Sequence, residues 1–299
     1  MRVIERGWLS ANSIVFVDGE AAIAVDSGYD THQQQTLSLI AQALAGRTLD
    51  WLVNTHCHSD HMGGNAALQR AYGCRTSVPA GEAPMIRAWD ETALMLGPAG
   101  QTAERFEVSD TIEAGDVLAM GGIDWDAIHA PGHDMHALMF YSPEYRILLS
   151  GDALWENGFG VIFPELYGDN TGFDATRQTL DRIAALHIDT VIPGHGAPFS
   201  DVAGALERAN GRLAYYRKDV TRLAKHCLKV ILTFALLDQR RIELAGLADY
   251  LQANTLYRDL NLRYLGLEPQ ALADYLVADL EKAGAIAREG GTIVPKIAA

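Results

Sequence analysis

A short run of histidine and aspartate places the strongest constraint on how this chain folds. Residues 53–65 read VNTHCHSDHMGGN, so three of the chain's ten histidines fall within six positions directly after an apolar stretch. Imidazoles this close repel one another when protonated, and buried neutral ones each need a polar partner. A metal ion satisfies all of them at once. We therefore expect a buried strand to end here and to present metal ligands at its carboxyl end.

Three later segments have the same character: APGHD at 130–134, SGDALW at 150–155 and IPGHG at 192–196. Each follows residues that predict a strand, and catalytic groups collect in loops at strand ends. His56 and His58 project to the same side of an extended backbone, whereas Asp60 and His61 follow the turn and face a second centre. Nitrogen and carboxylate ligands favour zinc, with iron and manganese as alternatives. Two such ions about 3.5–4 Å apart form a known hydrolytic arrangement.

The order of predicted elements divides the chain into two parts. Strands and helices alternate up to about residue 200, and the rest is mostly helical. We predict one long helix over 201–236, a short extended segment RRIEL, helices near 245–253 and 268–283, and a hairpin that turns at Gly290-Gly291. This order predicts a catalytic domain over 1–205 and a smaller, mainly helical, winged-helix-like domain over 206–299.

Charge is distributed unevenly along a chain of net charge −14. Residues 1–208 hold 11 Lys and Arg against 28 Asp and Glu, whereas residues 209–299 hold 13 against 10. The acidic first part disfavours nucleic acid as a partner, because phosphate binding needs a basic surface. The predicted long helix, however, carries a stripe of six cations on one face, which are Arg208, Arg212, Lys218, Arg222, Lys225 and Lys229. We expect part of this stripe to attract the anionic end of a substrate.

Location and assembly are predicted from simpler features. The first residues hold no apolar run of signal-peptide length, and no run approaches the roughly 18 residues of a membrane span. The three cysteines are scattered and odd in number, which favours a reducing compartment over a disulfide framework. We therefore expect a cytoplasmic protein with no membrane partner, which acts on a small molecule either as a monomer or as a homodimer.

The spacing His56-x-His58-x-Asp60-His61, followed in order by His133, Asp152 and His195, resembles the motif of the metallo-β-lactamase superfamily. The resemblance covers about residues 10–200. It implies an α+β fold, a four-layer αββα sandwich, with two divalent metal ions at one edge of two facing sheets. Carried over position by position, it implies that His56, His58 and His133 hold the first ion. It also implies that Asp60, His61 and His195 hold the second and that Asp152 bridges the two.

The resemblance implies hydrolysis by a metal-bridging hydroxide, with Asp60 orienting the water and carrying a proton to the leaving group. A small ester, thioester or lactone is the expected substrate. The alternatives are a β-lactamase-like endoribonuclease or phosphodiesterase, and a metal-containing binding or sensor protein of low activity. Glyoxalase II has a similar metal motif and a helical C-terminal part, but the segment PGHGAPFS around the last ligand has the generic hydrolase form.

Substrate-binding residues are predicted from aromatic and cationic side chains near the motif. The glycine-rich loop after Asp152 holds three aromatic residues that suit an apolar pocket wall, namely Trp155, Phe159 and Phe163. His136, three residues after His133, is a further candidate. From the cationic stripe, Arg212 and Lys218 are the residues expected to meet an anionic substrate group.

Overall fold

The computed structural model describes residues 1–296, which form two facing β-sheets with helices on their outer sides. The first sheet has six strands in sequential order. They are β1 (Arg2–Ile4), β2 (Ser13–Asp18), β3 (Ala21–Val25), β4 (Trp51–Val53), β5 (Arg75–Pro79) and β6 (Asp110–Ile112). Strands β1 to β3 pair antiparallel, and β3 to β6 pair parallel.

The second sheet has five strands in the order β11-β10-β9-β8-β7. They are β7 (Val117–Met120), β8 (Ile123–His129), β9 (Leu138–Ser142), β10 (Ile147–Gly151) and β11 (Thr190–Pro193). Only the pair β10 and β11 is parallel, and the other neighbours run antiparallel. As a result β8, β10 and β11 all point in one direction, and their carboxyl ends lie at one edge of the sheet.

Helices of this part of the chain lie between the strands in sequence. They are α1 (Gln33–Leu44), α2 (Ser59–Met62), α3 (Asn65–Tyr72), α4 (Ala83–Ala88), α5 (Leu96–Ala99), α6 (Phe163–Leu166) and α7 (Gly172–Ala185). A 3₁₀ turn, Asp30–His32, precedes α1.

Alternating side chains of the strands separate the core into layers. Ile14 and Phe16 of β2 pack with Leu138 and Phe140 of β9 between the two sheets. Val15 points the opposite way, into an apolar cluster with α1 and α3, and Met139 likewise faces the helices that cover the second sheet. The expected four-layer αββα sandwich is therefore confirmed.

The C-terminal part is mainly helical and includes a small sheet. Its helices are α8 (Val202–Arg217), α9 (Val220–Gln239), α10 (Leu244–Ala253), α11 (Thr255–Leu260) and α12 (Pro269–Lys282). Its strands β12 (Ile242–Glu243), β13 (Ile286–Glu289) and β14 (Thr292–Pro295) form a sheet of order β12-β14-β13. A π-helical turn, Asn261–Leu265, separates α11 from α12. The predicted hairpin at Gly290-Gly291 is present as β13 and β14.

The predicted long helix over 201–236 is wrong, because the chain breaks it at Lys218 and Asp219. Asp219 has an extended backbone (φ −164°, ψ 104°), and its carboxylate accepts a hydrogen bond from the Thr221 amide, so that α9 begins as a new helix. The six cations consequently do not lie along one helical face, since Lys218 occupies the junction. The domain boundary at residue 205 stays a prediction, as does the winged-helix-like character. That boundary falls inside α8.

No helix within residues 1–296 combines the length and apolar character that crossing a membrane requires.

Candidate metal centre and cavity

Four strand ends deliver the predicted ligands to one edge of the sandwich. His56 and His58 follow β4, and the one-turn helix α2 carries Asp60 and His61. The remaining ligands follow strands of the second sheet: His133 comes after β8, Asp152 after β10 and His195 after β11. The buried strands fix the backbone on both sides, so seven residues spread over 140 positions meet in one place.

The seven side chains form two groups whose donor atoms each lie within 4.8 Å of one another. The first group contains His56, His58 and His133, with His58 Nδ1 only 2.7 Å from His133 Nε2. The second contains Asp60, His61, Asp152 and His195. In that group His195 Nε2 lies 3.0 Å from an Asp60 oxygen.

Asp152 lies between the two groups. One of its carboxylate oxygens is 3.3 Å from His61 Nε2, in the second group, and the other is 3.5 Å from His133 Nε2, in the first. Gly194 permits this position, because a Cβ there would overlap the Asp152 carboxylate. The glycine of the segment IPGHG is therefore a steric requirement of the site.

The donor chemistry fits two divalent cations. His56 Nε2 is buried and has no hydrogen-bond partner among the described residues, although a buried polar nitrogen left unpaired is costly. Three carboxylates, from Asp26, Asp152 and Asp60, surround His61 and raise its pKa well above its usual value against the opposing effect of burial. Such a concentration of acceptors is the electrostatic environment that a cation requires.

The first group is electrically suited to act as neutral ligands. Burial, together with the neighbouring imidazoles, holds the pKa of His56 well below its usual value. Burial likewise lowers the pKa of both His58 and His133 to about 4. Burial alone would raise the pKa of Asp152, but His61, His195 and His133 together hold it well below its usual range. Neutral imidazole and ionised carboxylate are the protonation states that bind metal ions.

Contacts behind the ligands fix the orientation of the imidazole rings. His61 Nδ1 lies 2.8 Å from an oxygen of Asp26, and the Asp26 carboxylate also accepts hydrogen bonds from the Thr55 amide and hydroxyl. His133 Nδ1 donates to the carbonyl of Val161 at 2.6 Å. Each contact leaves Nε2 of the ring free to face the centre, and such outer partners tune a metal site.

A cavity of about 550 Å³ opens directly onto the two groups. Four of the six predicted substrate-binding residues line it, namely Trp155, Phe159, Phe163 and Arg212. The Trp155 indole donates to an Asp152 oxygen at 3.2 Å, and Phe163 packs against both His58 and His133. The other two predicted residues, His136 and Lys218, are exposed and do not line the cavity. His136 lies against Gly81, and Lys218 lies at the end of α8.

Several residues of the cavity are not predicted from the sequence, and Trp8 and His226 are two of them. Trp8 stacks on the ring of His195 at 5.5 Å with an interplanar angle of 5°, and it also meets Trp155 edge to face. His226 of α9 lines the same cavity and stacks on Tyr216. A tryptophan eight residues into the chain carries no local signal for a contact 187 positions away. His226 is one of several polar residues on an amphipathic helix, so its sequence position does not mark it as a cavity residue.

The αββα sandwich and its edge site define a metal-dependent hydrolase class, and the model of the metallo-beta-lactamase superfamily matches residues 6–195. The chain belongs to that superfamily. Hydroxyacylglutathione hydrolases of Brucella ovis and Brucella abortus are each 27% identical over 185 residues, which are 60% of this chain and 62% of theirs. The match therefore spans less than two thirds of the length of these relatives.

Solved structures share the fold at low sequence identity. A metallo-beta-lactamase of Cronobacter sakazakii has a TM-score of 0.58 and 20% identity, with 74% of this chain and 95% of that chain covered. A metallo-beta-lactamase family protein of Thermus thermophilus has a TM-score of 0.54 and 20% identity over 96% of this chain and 94% of its own. A di-iron-bound form of TTHA1623 has a TM-score of 0.55 and 24% identity, with 70% of this chain and 98% of that chain covered.

Proposed function

We propose that this chain is a dinuclear metal-dependent hydrolase of a small ester, thioester or lactone. The observation that carries the proposal is the position of Asp152, which contacts both donor groups at the end of an apolar cavity. His56, His58 and His133 would hold one ion, Asp60, His61 and His195 the other, and Asp152 both. Zinc suits these nitrogen and oxygen donors, and the di-iron form of TTHA1623 supports iron as the alternative.

When bound, the two ions supply hydroxide near neutral pH and polarise the bond to be cleaved. The chain's own residues then position the substrate and handle the proton. Asp60 lies beside His195 in the cavity wall, where its carboxylate would orient the attacking water and pass a proton to the departing alcohol or thiol. The acyl carbon gains the hydroxyl, the leaving group gains the proton, and no redox partner is required.

Side chains around the centre would exclude bulk water and hold the leaving group. Trp8 and Trp155 cover His195 from two sides with apolar rings. Arg212 lines the cavity and forms no ion pair with a carboxylate in the part of the chain that the structure describes, whereas Arg208, Arg217 and Arg222 do. An unpaired guanidinium supports a substrate with an anionic group, as in a thioester of an acidic carrier.

The endoribonuclease and the sensor alternatives are less well supported. A nuclease groove follows a charged backbone, but the cavity is largely apolar and the chain carries a net charge of −14. A binding or sensor protein of low activity does not need all seven metal ligands, whereas all seven candidate ligands lie together in this structure. Cytoplasmic location and homodimer formation remain predictions.

Metal analysis combined with a substrate panel tests the proposal. We expect about two divalent ions per chain and hydrolysis of thioesters, lactones or aryl esters, with little action on phosphodiesters or short RNA. Full metal content with no turnover of any ester, thioester or lactone would contradict the hydrolase and favour the sensor. Preferential cleavage of RNA would favour the nuclease.

A further inference from the structure

The cavity that opens onto the metal ligands continues to a wall built by the C-terminal part of the chain. At one end it is lined by ligands of both groups, including His58 and His195. Away from them it is lined by side chains of α9 and by residues in and just after α12, which include Val230, Ile231, Phe234, Leu237, Leu280 and Ala283. One continuous space therefore joins the reacting centre to a surface formed after the last ligand in sequence.

This distal wall is almost entirely apolar. Val230, Phe234 and Leu237 recur at steps of four and three, so they lie on one face of α9. Among the described lining residues from Val230 onward, Thr233 is the single polar side chain. Part of this face is packed, because Phe234 meets Tyr29 edge to face and Leu237 is buried in a cluster with Leu9 and Tyr29. The rest of the face borders the cavity. The part of the face that borders the cavity offers an apolar surface to a ligand whose other end reaches the metal centre.

The dimensions indicate how long that ligand is. Val230 and Leu237 are seven residues apart, which is about 10 Å along a helix axis. An extended hydrocarbon of about eight carbon atoms has this length, at about 1.3 Å advance per bond. The volume of about 550 Å³ is in the range of pockets that enclose a small organic molecule.

We infer that the wall formed by α9 and α12 is an acyl-chain subsite, and that the substrate is an ester or thioester of an unbranched fatty acid of about eight to ten carbons. The inference rests on the proposed hydrolase function and specifies its substrate class. The acyl carbonyl lies at the ligand groups, and the chain runs along Val230, Phe234 and Leu237. Because no residue of the wall belongs to either ligand group, the wall sets chain-length preference without contributing a ligand.

The first test is a series of 4-nitrophenyl esters with acyl chains of two to twelve carbons and one common leaving group. Burial of each methylene is worth about 0.8 kcal/mol, which corresponds to about fourfold in kcat/KM. We expect kcat/KM to rise by up to about fourfold per carbon as far as about eight carbons and then to level off. A profile that is flat or falls from two carbons onward would overturn the subsite while leaving the hydrolase intact.

The second test narrows the cavity. Thr233→Phe fills space beside the apolar wall, and we expect it to lower the ratio of kcat/KM for the octanoyl over the acetyl ester at least tenfold. Thr221→Phe makes the same change on the same helix, at a half-buried position that does not line the cavity, and should leave that ratio unaltered. Equal ratios in both variants and the original protein would contradict the placement of the chain.

A binding measurement separates this inference from the hydrolase proposal. Titration calorimetry with decanoate and butanoate on the metal-loaded protein compares two carboxylates that differ only in chain length. Binding of decanoate at least tenfold tighter than butanoate, lost in Thr233→Phe but not in Thr221→Phe, supports the subsite even if no ester is hydrolysed. Equal affinities for the two acids overturn the subsite, even if short esters are hydrolysed.

Discussion

Asp152 is the residue on which the proposed centre depends most, because its two oxygens face different donor groups. A histidine of either group has one ion to hold, and its loss leaves the other group complete. Asp152 has no such substitute, since Asp60 approaches only His195 and His61. Removal of the Asp152 side chain should therefore lower the metal content more than removal of the His58 side chain.

We predict that Asp152→Ala lowers metal content at both groups and reduces kcat/KM at least about a hundredfold. His58→Ala should lose close to one ion per chain. Elemental analysis after dialysis measures both, and far-UV circular dichroism checks that the fold remains. Asp126→Ala removes an aspartate of β8 outside the cavity and should keep full metal content. Equal metal content in Asp152→Ala and the original protein would refute its role as a shared ligand.

Arg212 should matter for anionic substrates alone. Arg212→Gln removes a cavity-lining charge that has no carboxylate partner among residues 1–296, and we expect about a tenfold lower kcat/KM for an anionic thioester. The loss should shrink in high salt, which screens the attraction. Lys218→Gln is the matched control, because Lys218 is exposed and outside the cavity. A comparable loss with an uncharged substrate would show that Arg212 acts by packing.

His226 should make the fold sensitive to mild acid. Burial, with Arg212 and Lys229 adding repulsion, lowers its pKa to about 4 from an ordinary value of 6.5. The unfolded chain therefore takes up a proton between pH 6.5 and 4 while the folded chain does not. The free energy of unfolding should fall across this window by about 1–3 kcal/mol on account of His226. Urea unfolding at pH 7 and pH 5 measures this decrease in the free energy of unfolding. The variant His226→Gln should show a smaller decrease between the two pH values. An identical decrease in the variant and the original protein would mean that His226 is not the cause.

At the scale of elements, the junction between α8 and α9 determines which cations face the cavity. Arg212 lies on α8, about three turns from its start, and Lys229 lies on α9. Both line the cavity, but Lys229 pairs with Asp279 at 2.6 Å. Without the break, the two helices would continue as one in a single direction. After the break, α9 packs with α8, α11, α12 and β14, and part of its apolar face borders the cavity.

Asp219 is expected to stabilise this junction. Its carboxylate accepts a hydrogen bond from the Thr221 amide and lies 3.7 Å from Arg222. Loss of such an N-cap costs about 1 kcal/mol. We predict that Asp219→Ala lowers the free energy of unfolding by that amount in chemical denaturation. Asp249→Ala, an exposed aspartate within α10, should change it by less than about 0.5 kcal/mol. Equal effects of the two changes would mean that the cap does not hold the junction.

Local pattern predicts most of the elements and brings the candidate ligands together, but it does not predict contacts between distant segments. The strand ends converge by geometry, which explains why the seven candidate ligands lie together: His56, His58, Asp60, His61, His133, Asp152 and His195. Their role as metal ligands stays a prediction. The break at Asp219 was missed because no glycine or proline marks it, and an aspartate inside an amphipathic stretch resembles an exposed helical residue. The apposition of Trp8 and His195 depends on how β1 and β11 are placed, which no local sequence signal encodes.

At the scale of the whole molecule, the proposed centre ties the two sheets together. His56 and His58 follow a strand of the first sheet, whereas Asp152 and His195 follow strands of the second. Ions shared across this edge would bind the folded state and not the unfolded chain. Ligand binding of that kind adds RT ln(1 + [L]/Kd) to stability, about 2.7 kcal/mol at a hundredfold excess over Kd.

Chelation should therefore lower the melting temperature. We expect removal of divalent ions to reduce Tm by several degrees in differential scanning calorimetry, and re-addition of zinc to restore it. The variant Asp152→Ala should melt at the same temperature with and without chelator. An unchanged Tm in the chelated original protein would argue against ions that clamp the two sheets.

The position of the cavity wall after His195 also has a consequence during synthesis. All seven ligands have left the ribosome's catalytic centre roughly 90 residues before the last lining residue, Ala285, is made. At about 5–20 residues per second, that interval lasts about 5–20 s. Until α9 and α12 have been made and have packed, the sandwich edge lacks this wall and would be open to solvent and to dissolved ions. A chain that bound metal before the wall formed would take it up through an entrance wider than the one the finished protein retains.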